Sequence, residues 1–213
     1  MALILVIGAS HGVGLETVKA GLAAGHQVRA FARSAPTIDL TDPKLTKITG
    51  DARVRGEVAA AVQGVDAAIY AVGSTNPSDL IFGTTLFSDS TRVLVDAMQD
   101  ARVRRLLMVT GAGAGNSRGR INVLYDNLIF PLMLQRVYND KDVAEDMVMK
   151  SNLDWTIVRP GLLTNKPATG RYKVLTEMKD WCGGLISRAD VADFLIKHFD
   201  DPTLIGKTPL LVD

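Results

Sequence analysis

The chain is poor in the features that mark several protein classes. Among its 213 residues there is one cysteine, Cys182. No internal disulfide can form, and a reducing, cytoplasmic setting is expected. Charge of one sign is not in excess: 24 basic residues stand against 23 acidic ones, a net +1. That balance gives no electrostatic reason to expect nucleic acid or an anionic membrane as partner. No later apolar run exceeds Leu128 to Leu134, far short of the roughly 20 residues a bilayer requires, so no membrane insertion is expected. Met1-Ala2 offers no basic region ahead of the first apolar run, so no secretory signal is expected. The three histidines, His11, His26 and His198, are scattered, and no metal site is expected. Repeats, low-complexity tracts and linkers are missing too. What remains, 47% apolar and 22% charged, reads as one globular domain over 1–213 with a real core.

What is present begins at the N-terminus. Leu3-Ile4-Leu5-Val6-Ile7 reads as a buried strand, followed by Gly8-Ala9-Ser10-His11-Gly12-Val13-Gly14 and a helix-like segment, Leu15 to Ala24. Strand, glycine turn and helix together form the arrangement that holds a dinucleotide pyrophosphate. Gly8 permits the sharp turn, Gly12 lets backbone approach phosphate, and Gly14 lets the helix pack close to the strand. The phosphates meet the free N–H groups and positive end of that helix, with Ser10, His11 and Val13 beside them. Gln27–Ala32 is a second strand, and Arg33-Ser34 stands at its tip. An acid there binds the ribose 2′-hydroxyl of NAD, and a base accommodates the 2′-phosphate of NADP. An arginine therefore favours NADP(H) over NAD(H), since a planar guanidinium suits a phosphate dianion. Asp39 lies too far along the loop to serve as the missing acid.

Leu45–Thr49 reads as a third strand ending at Gly50-Asp51-Ala52. Asp51 either accepts from an adenine amino group or caps the helix expected over Val54 to Val62. Asp66–Val72 reads as a fourth strand, and small residues at its tip, Ala71-Val72-Gly73, let a cofactor lie against backbone. A helix is expected from about Phe82 to Ala101, and a fifth strand from Arg104 to Thr110. This alternation predicts an α/β fold of Rossmann type: a doubly wound parallel sheet with helices on both faces. Right-handed crossovers then bring Gly8, Arg33, Asp51, Ala71 and Thr110 to one edge.

The pattern is less regular beyond. Asn116 to Arg120 is polar and reads as a loop, and Asn122 to Tyr138 is strongly apolar around Pro131. A helix fits Leu132 to Lys150, and a sixth strand fits Asp154–Arg159, ending at Pro160-Gly161. Residues 162–184 read as a small substrate-side lid. Ser187-Arg188-Ala189-Asp190 opens a last helix as a cap with an acidic first turn, and Leu204–Val212 is expected to return as an edge strand.

The chain resembles the atypical short-chain dehydrogenase/reductases, in the NAD(P)H-binding branch that contains biliverdin reductase B (the flavin reductase) and the NmrA-like proteins. The resemblance rests on the Gly8 motif, Arg33, Gly50-Asp51-Ala52, Thr110-Gly111, Lys141 with Glu145, Asp154 through Gly161, and Arg188-Ala189-Asp190-Val191-Ala192. The glycine spacing, three residues and then one, is that of the tetrad-bearing branch. The resemblance implies that Lys141 binds ribose hydroxyls, that Thr110 bonds a substrate or the nicotinamide amide, and that Pro160, Gly161 and Leu162 lie against the cofactor. The family's acid is a tyrosine four residues before the lysine. Here Val137 stands at that position, and Tyr138 is one step away, turned about 100° around a helix. Tyr125 is another candidate, with Ile129 four residues after it. Two functions are expected. One is an NADPH-dependent reductase of a small, planar or carbonyl-bearing acceptor such as a quinone, flavin, linear tetrapyrrole or ketone, with Thr110, Lys141 and Tyr138 as catalytic residues. The alternative is a non-catalytic NADP(H) sensor of the NmrA-like type. Val123–Leu134, Leu162, Leu163 and Trp181 are candidate pocket walls. The chain is expected to be a monomer or a homodimer, and an epimerase would need a larger C-terminal domain.

Overall fold

The first strand sets the geometry. β1 (Leu3–Ile7) is buried on both faces from Ile4 onward, so neighbouring side chains feed opposite layers. Ile4 and Val6 pack into one apolar cluster and Leu5 and Ile7 into the other. The computed structural model describes residues 1–74, 78–115 and 135–213. Expectations for Asn116–Arg120, Tyr125, Pro131 and the Leu128 stretch fall outside these residues.

In chain order, β1 leads to α1 (Gly12–Ala23), β2 (Gln27–Ala32), β3 (Leu45–Thr49), α2 (Arg55–Val62) and β4 (Ala67–Tyr70). Then come α3 (Ser78–Phe82), α4 (Leu86–Asp100), β5 (Arg105–Val109), α5 (Gln135–Met149) and β6 (Asp154–Pro160). The C-terminal part holds β7 (Leu162–Thr164), β8 (Lys173–Leu175), β9 (Leu185–Ser187), α6 (Arg188–Lys197) and β10 (Leu210–Val212). The main sheet runs β3-β2-β1-β4-β5-β6-β10-β8, parallel except for β8, which pairs antiparallel with β10. It is a Rossmann-type α/β sheet. Val18 of α1 and Phe194 of α6 belong to one apolar layer, and Val58 of α2, Leu94 of α4 and Ala144 of α5 to the other.

Three departures from the sequence pattern have local causes. The helix expected from Phe82 is two helices. Gly83, at φ +82°, ends α3, where its N–H reaches the Asp79 carbonyl, and the Thr84 hydroxyl accepts from Leu86 N–H to start α4. Helix α1 begins at Gly12 rather than Leu15, so the glycine turn is itself the first turn of helix. The C-terminal strand is not the sheet edge: β8, from the 162–184 segment, covers it. β7, at the start of that segment, forms a separate parallel pair with β9, just beyond its end. The Ser187 hydroxyl accepts from Asp190 N–H at 2.9 Å, which is the expected cap of α6.

Candidate functional site

The ends of β1 through β5 border a cleft of about 450 Å³. Its lining includes Gly8, Ser10, His11, Gly12, Val13, Arg33, Ser34, Asp51, Ala52, Ala71, Val72, Gly73, Thr110 and Lys141, so residues distant in sequence meet on one rim. Gly14 is not on the wall. A Cβ there would lie 2.1 Å from the Gly8 carbonyl oxygen, so its glycine is what lets α1 pack against the end of β1. A Cβ on Gly8, at φ +84°, would lie 2.6 Å from the Ala71 carbonyl oxygen. Helix α1 has no side-chain cap and no acid in its first turn. Its amide groups and positive dipole end are therefore available at the glycine turn. An uncapped helix start behind a tightly packed glycine turn fits the diphosphate of a dinucleotide.

Around this cradle the polar groups are of two kinds. Arg33 is exposed at the tip of β2, and its guanidinium makes no hydrogen bond or ion pair among the described residues. Beside it Ser34 Oγ donates to Ser10 Oγ at 2.9 Å, and Ser10 Oγ shares a 2.9 Å hydrogen bond with His11 Nδ1. Asp51, by contrast, is engaged. Its carboxylate accepts from Arg53 Nε at 3.1 Å, Nη2 at 2.7 Å and the backbone N–H at 2.9 Å. The Arg53 side chain holds the Asp51 carboxyl down at about 2. The capping alternative for Asp51 is corrected, because α2 starts after Val54 and takes no side-chain cap.

The base of the cleft is built by α5 against β5 and β6. Lys141 Nζ donates to the Thr110 carbonyl at 2.8 Å. It lies 4.7 Å from the Tyr138 ring centroid and 5.1 Å from that of Phe87. Burial pushes the lysine down to about 8, opposed in part by the Glu145 carboxylate. The Lys141–Glu145 spacing does not mark a solvated helix face. Glu145 is buried and accepts from Arg159 Nη2 at 2.5 Å, from Arg159 Nε at 3.2 Å and from the Thr110 hydroxyl at 2.6 Å. Thr110 lines the cleft, and its hydroxyl donates to Glu145, which leaves its oxygen lone pairs as acceptors.

Tyr138, though one step from the family position, shares a helix face with Lys141, since residues three apart are neighbours. A methyl on Gly111 would lie 2.8 Å from the Tyr138 hydroxyl oxygen, which puts the phenol at the end of β5.

Pro160, Gly161 and Leu162 are not brought to the cleft wall. The Pro160 carbonyl accepts from Ala112 N–H, Gly161 packs on Gly184, and Leu162 points into solvent, while Leu163 takes a place in the lining. Trp181 is buried with Ala112, Leu210 and Val212 rather than walling the cleft. Val123–Leu134 lies outside the described residues. Arg188 is the charged lining residue that the sequence pattern does not assign to the site. Its signal was a cation in the first turn of a helix, where the dipole disfavours one.

Comparison with known proteins agrees with this geometry. The NAD(P)H-binding family matches residues 8–202. The uncharacterised sugar epimerase YhfK of Bacillus subtilis (strain 168) is 31% identical over 145 residues, covering 68% of this chain; the match spans 62% of that relative's length. ChuY, an anaerobillin reductase of Escherichia coli O157:H7, is 27% identical with a TM-score of 0.78, covering 99% of this chain and 96% of that one. A short-chain dehydrogenase/reductase of Veillonella parvula in complex with NADP has a TM-score of 0.84 at 19% identity, covering 100% and 94%, a likeness of fold. Among the described residues no helix is long and apolar enough to cross a membrane. The chain belongs to the NAD(P)H-binding family and has a Rossmann fold.

Proposed function

We propose that the protein is an NADPH-dependent reductase of a small, planar or carbonyl-bearing acceptor, folded as one domain. The observation that carries the reading is Lys141. Its ammonium stands on the wall of the cleft, fixed by the Thr110 carbonyl and stacked on the Tyr138 ring. The dinucleotide supplies the hydride when bound. Gly8, Gly12 and the start of α1 hold its diphosphate, and Arg33 with Ser10 and Ser34 favours the 2′-phosphate form. Asp51 and Ala52 flank the adenine, and Ala71, Val72 and Gly73 leave room for the nicotinamide half. Lys141 binds ribose hydroxyls and keeps a positive charge beside the reacting face at neutral pH. Tyr138 is the proton donor nearest that charge. Acceptors that take hydride before a proton, such as quinones, flavins and linear tetrapyrroles, make the least demand on it. The reductase relative ChuY supports the same direction.

The test mixes purified protein and NADPH with a panel of quinones, flavins, linear tetrapyrroles and ketones, and follows loss of nicotinamide absorbance. Turnover that falls in Tyr138→Phe supports the assignment. Absence of turnover with every acceptor, alongside tight NADPH binding, favours a second reading, the non-catalytic NADP(H) sensor. One observation favours that alternative: the Thr110 hydroxyl, part of the family's catalytic set, is committed to Glu145.

A further inference from the structure

Arg188 opens α6, the helix that packs against α1. A cation in the first turn of a helix opposes the macrodipole and costs stability. A residue kept there against that cost needs a compensating partner, and no carboxylate among the described residues supplies one. Nη1 donates to Asn165 Oδ1 at 2.8 Å and, more distantly, to the Leu163 carbonyl at 3.5 Å. Both acceptors are neutral. The guanidinium has five N–H donors, and its Nε and Nη2 have no acceptor among the described residues.

The direction in which those donors face is informative. Gly12 is the glycine of the turn with backbone φ +58°, and a Cβ built there would lie 3.7 Å from Arg188 Nε and 4.0 Å from Arg188 Cδ. The guanidinium thus stands over the start of α1, whose amides carry no cap and no acid. The guanidinium and the glycine turn are neighbours on the lining of one cleft, and no carboxylate among the described residues pairs with the guanidinium. Two positive features side by side on a cleft wall, without an ion pair, mark a place for an anion.

We propose that Arg188 is a binding residue for the cofactor diphosphate, acting beside the glycine turn from the start of α6. Asn165 steadies the guanidinium, and through it the segment after β7 is tied to the dinucleotide. This inference rests on the dinucleotide reading above and adds a contact that does not discriminate between NADP(H) and NAD(H), unlike Arg33.

Titration calorimetry tests it, with NADPH, NADH and ADP-ribose as probes and Arg188→Ala, Arg188→Lys, Asn165→Ala and Arg33→Ala as variants. Melting curves check that each is folded. Arg188→Ala is expected to weaken all three ligands by one common factor, about 10- to 100-fold for a charge-assisted contact. It should also flatten the salt dependence, and lysine should recover part of the loss. Asn165→Ala should weaken binding far less, because the charge remains. Wild-type affinity in Arg188→Ala overturns the proposal. So does a loss confined to NADPH, or an Asn165→Ala loss equal to that of Arg188→Ala, which would make Arg188 a tether only. If wild-type protein binds none of the probes, the dinucleotide reading itself fails, an outcome distinct from a silent Arg188→Ala.

Discussion

Replacing Glu145 with leucine removes three contacts at once: two from Arg159, at 2.5 and 3.2 Å, and one from the Thr110 hydroxyl at 2.6 Å. The two charged side chains are 0% and 1% exposed, so water cannot replace the lost carboxylate. Breaking a buried pair from one side costs about 3–5 kcal/mol, and the orphaned Thr110 hydroxyl adds about 1 kcal/mol. The sum, about 4–6 kcal/mol, is a large part of a typical stability of about 5–15 kcal/mol. For a chain of this size the melting temperature should fall by about 8–24 °C, at about 2–4 °C per kcal/mol. Glu145→Gln keeps the shape and loses less. Glu145→Leu combined with Arg159→Met should recover at least half of the loss, because the uncompensated charge goes with its partner. Urea and thermal unfolding of the four proteins measure this. A Glu145→Leu protein within about 1 kcal/mol of wild type would refute the reasoning, because a buried arginine would then tolerate losing its carboxylate.

Arg33→Ala should weaken NADPH by about 1.5–3 kcal/mol and leave NADH nearly unchanged; calorimetry showing equal loss for both would remove Arg33 from the 2′-phosphate. Gly12→Val should abolish binding of both cofactors and destabilise the fold. The added side chain meets Arg188 and strains a backbone at φ +58°, and cofactor titration with melting curves reads both effects. Burial holds Lys141 near 8 against an ordinary 10.5. Between those values the unfolded chain binds more protons, so stability should rise with pH through that window. In the same window NADPH affinity should fall as the charge is lost. Lys141→Met should flatten both trends in urea midpoints and calorimetry taken across it.

Parallel strands followed by a turn are the easiest elements to read from residues alone, and β1, β2 and β3 begin and end where the sequence pattern places them, although β3 is only partly buried. The glycine turn was equally legible, because no other residue type tolerates the contacts that Gly8 and Gly14 make. Strand β8 was not, since Lys173-Val174-Leu175 has no periodicity of its own and is a strand only because β10 offers it an edge. The partner of Glu145 was not legible for a related reason: nothing local reveals that Arg159 arrives from β6 to claim the carboxylate. Counting positions along a helix turns Tyr138 away from the family's tyrosine position, but residues three apart also lie side by side, and its ring packs on Lys141 without joining the cleft lining. Arg188 needed the tertiary fold, because α6 meets α1 only once the sheet is assembled.

The excursion between β6 and β9 has a welded neck. A Cβ on Gly161 would lie 2.4 Å from the Gly184 carbonyl oxygen, and one on Gly184 would lie 2.8 Å from Val212 Cβ. Leu162 N–H reaches the Gly184 carbonyl at 3.0 Å, and Gly161 N–H reaches that of Leu211 at 2.9 Å. Departure and return points are clamped together by backbone, and β8 is pinned to β10 beyond them, so the length of the exposed stretch between β7 and β8 is decoupled from the sheet. Each doubling of such a loop costs only about 0.6 kcal/mol of closure entropy. Extra residues spliced into the exposed 166–168 stretch should therefore leave the melting temperature nearly unmoved, because the clamp and the β8–β10 ladder hold on either side of it.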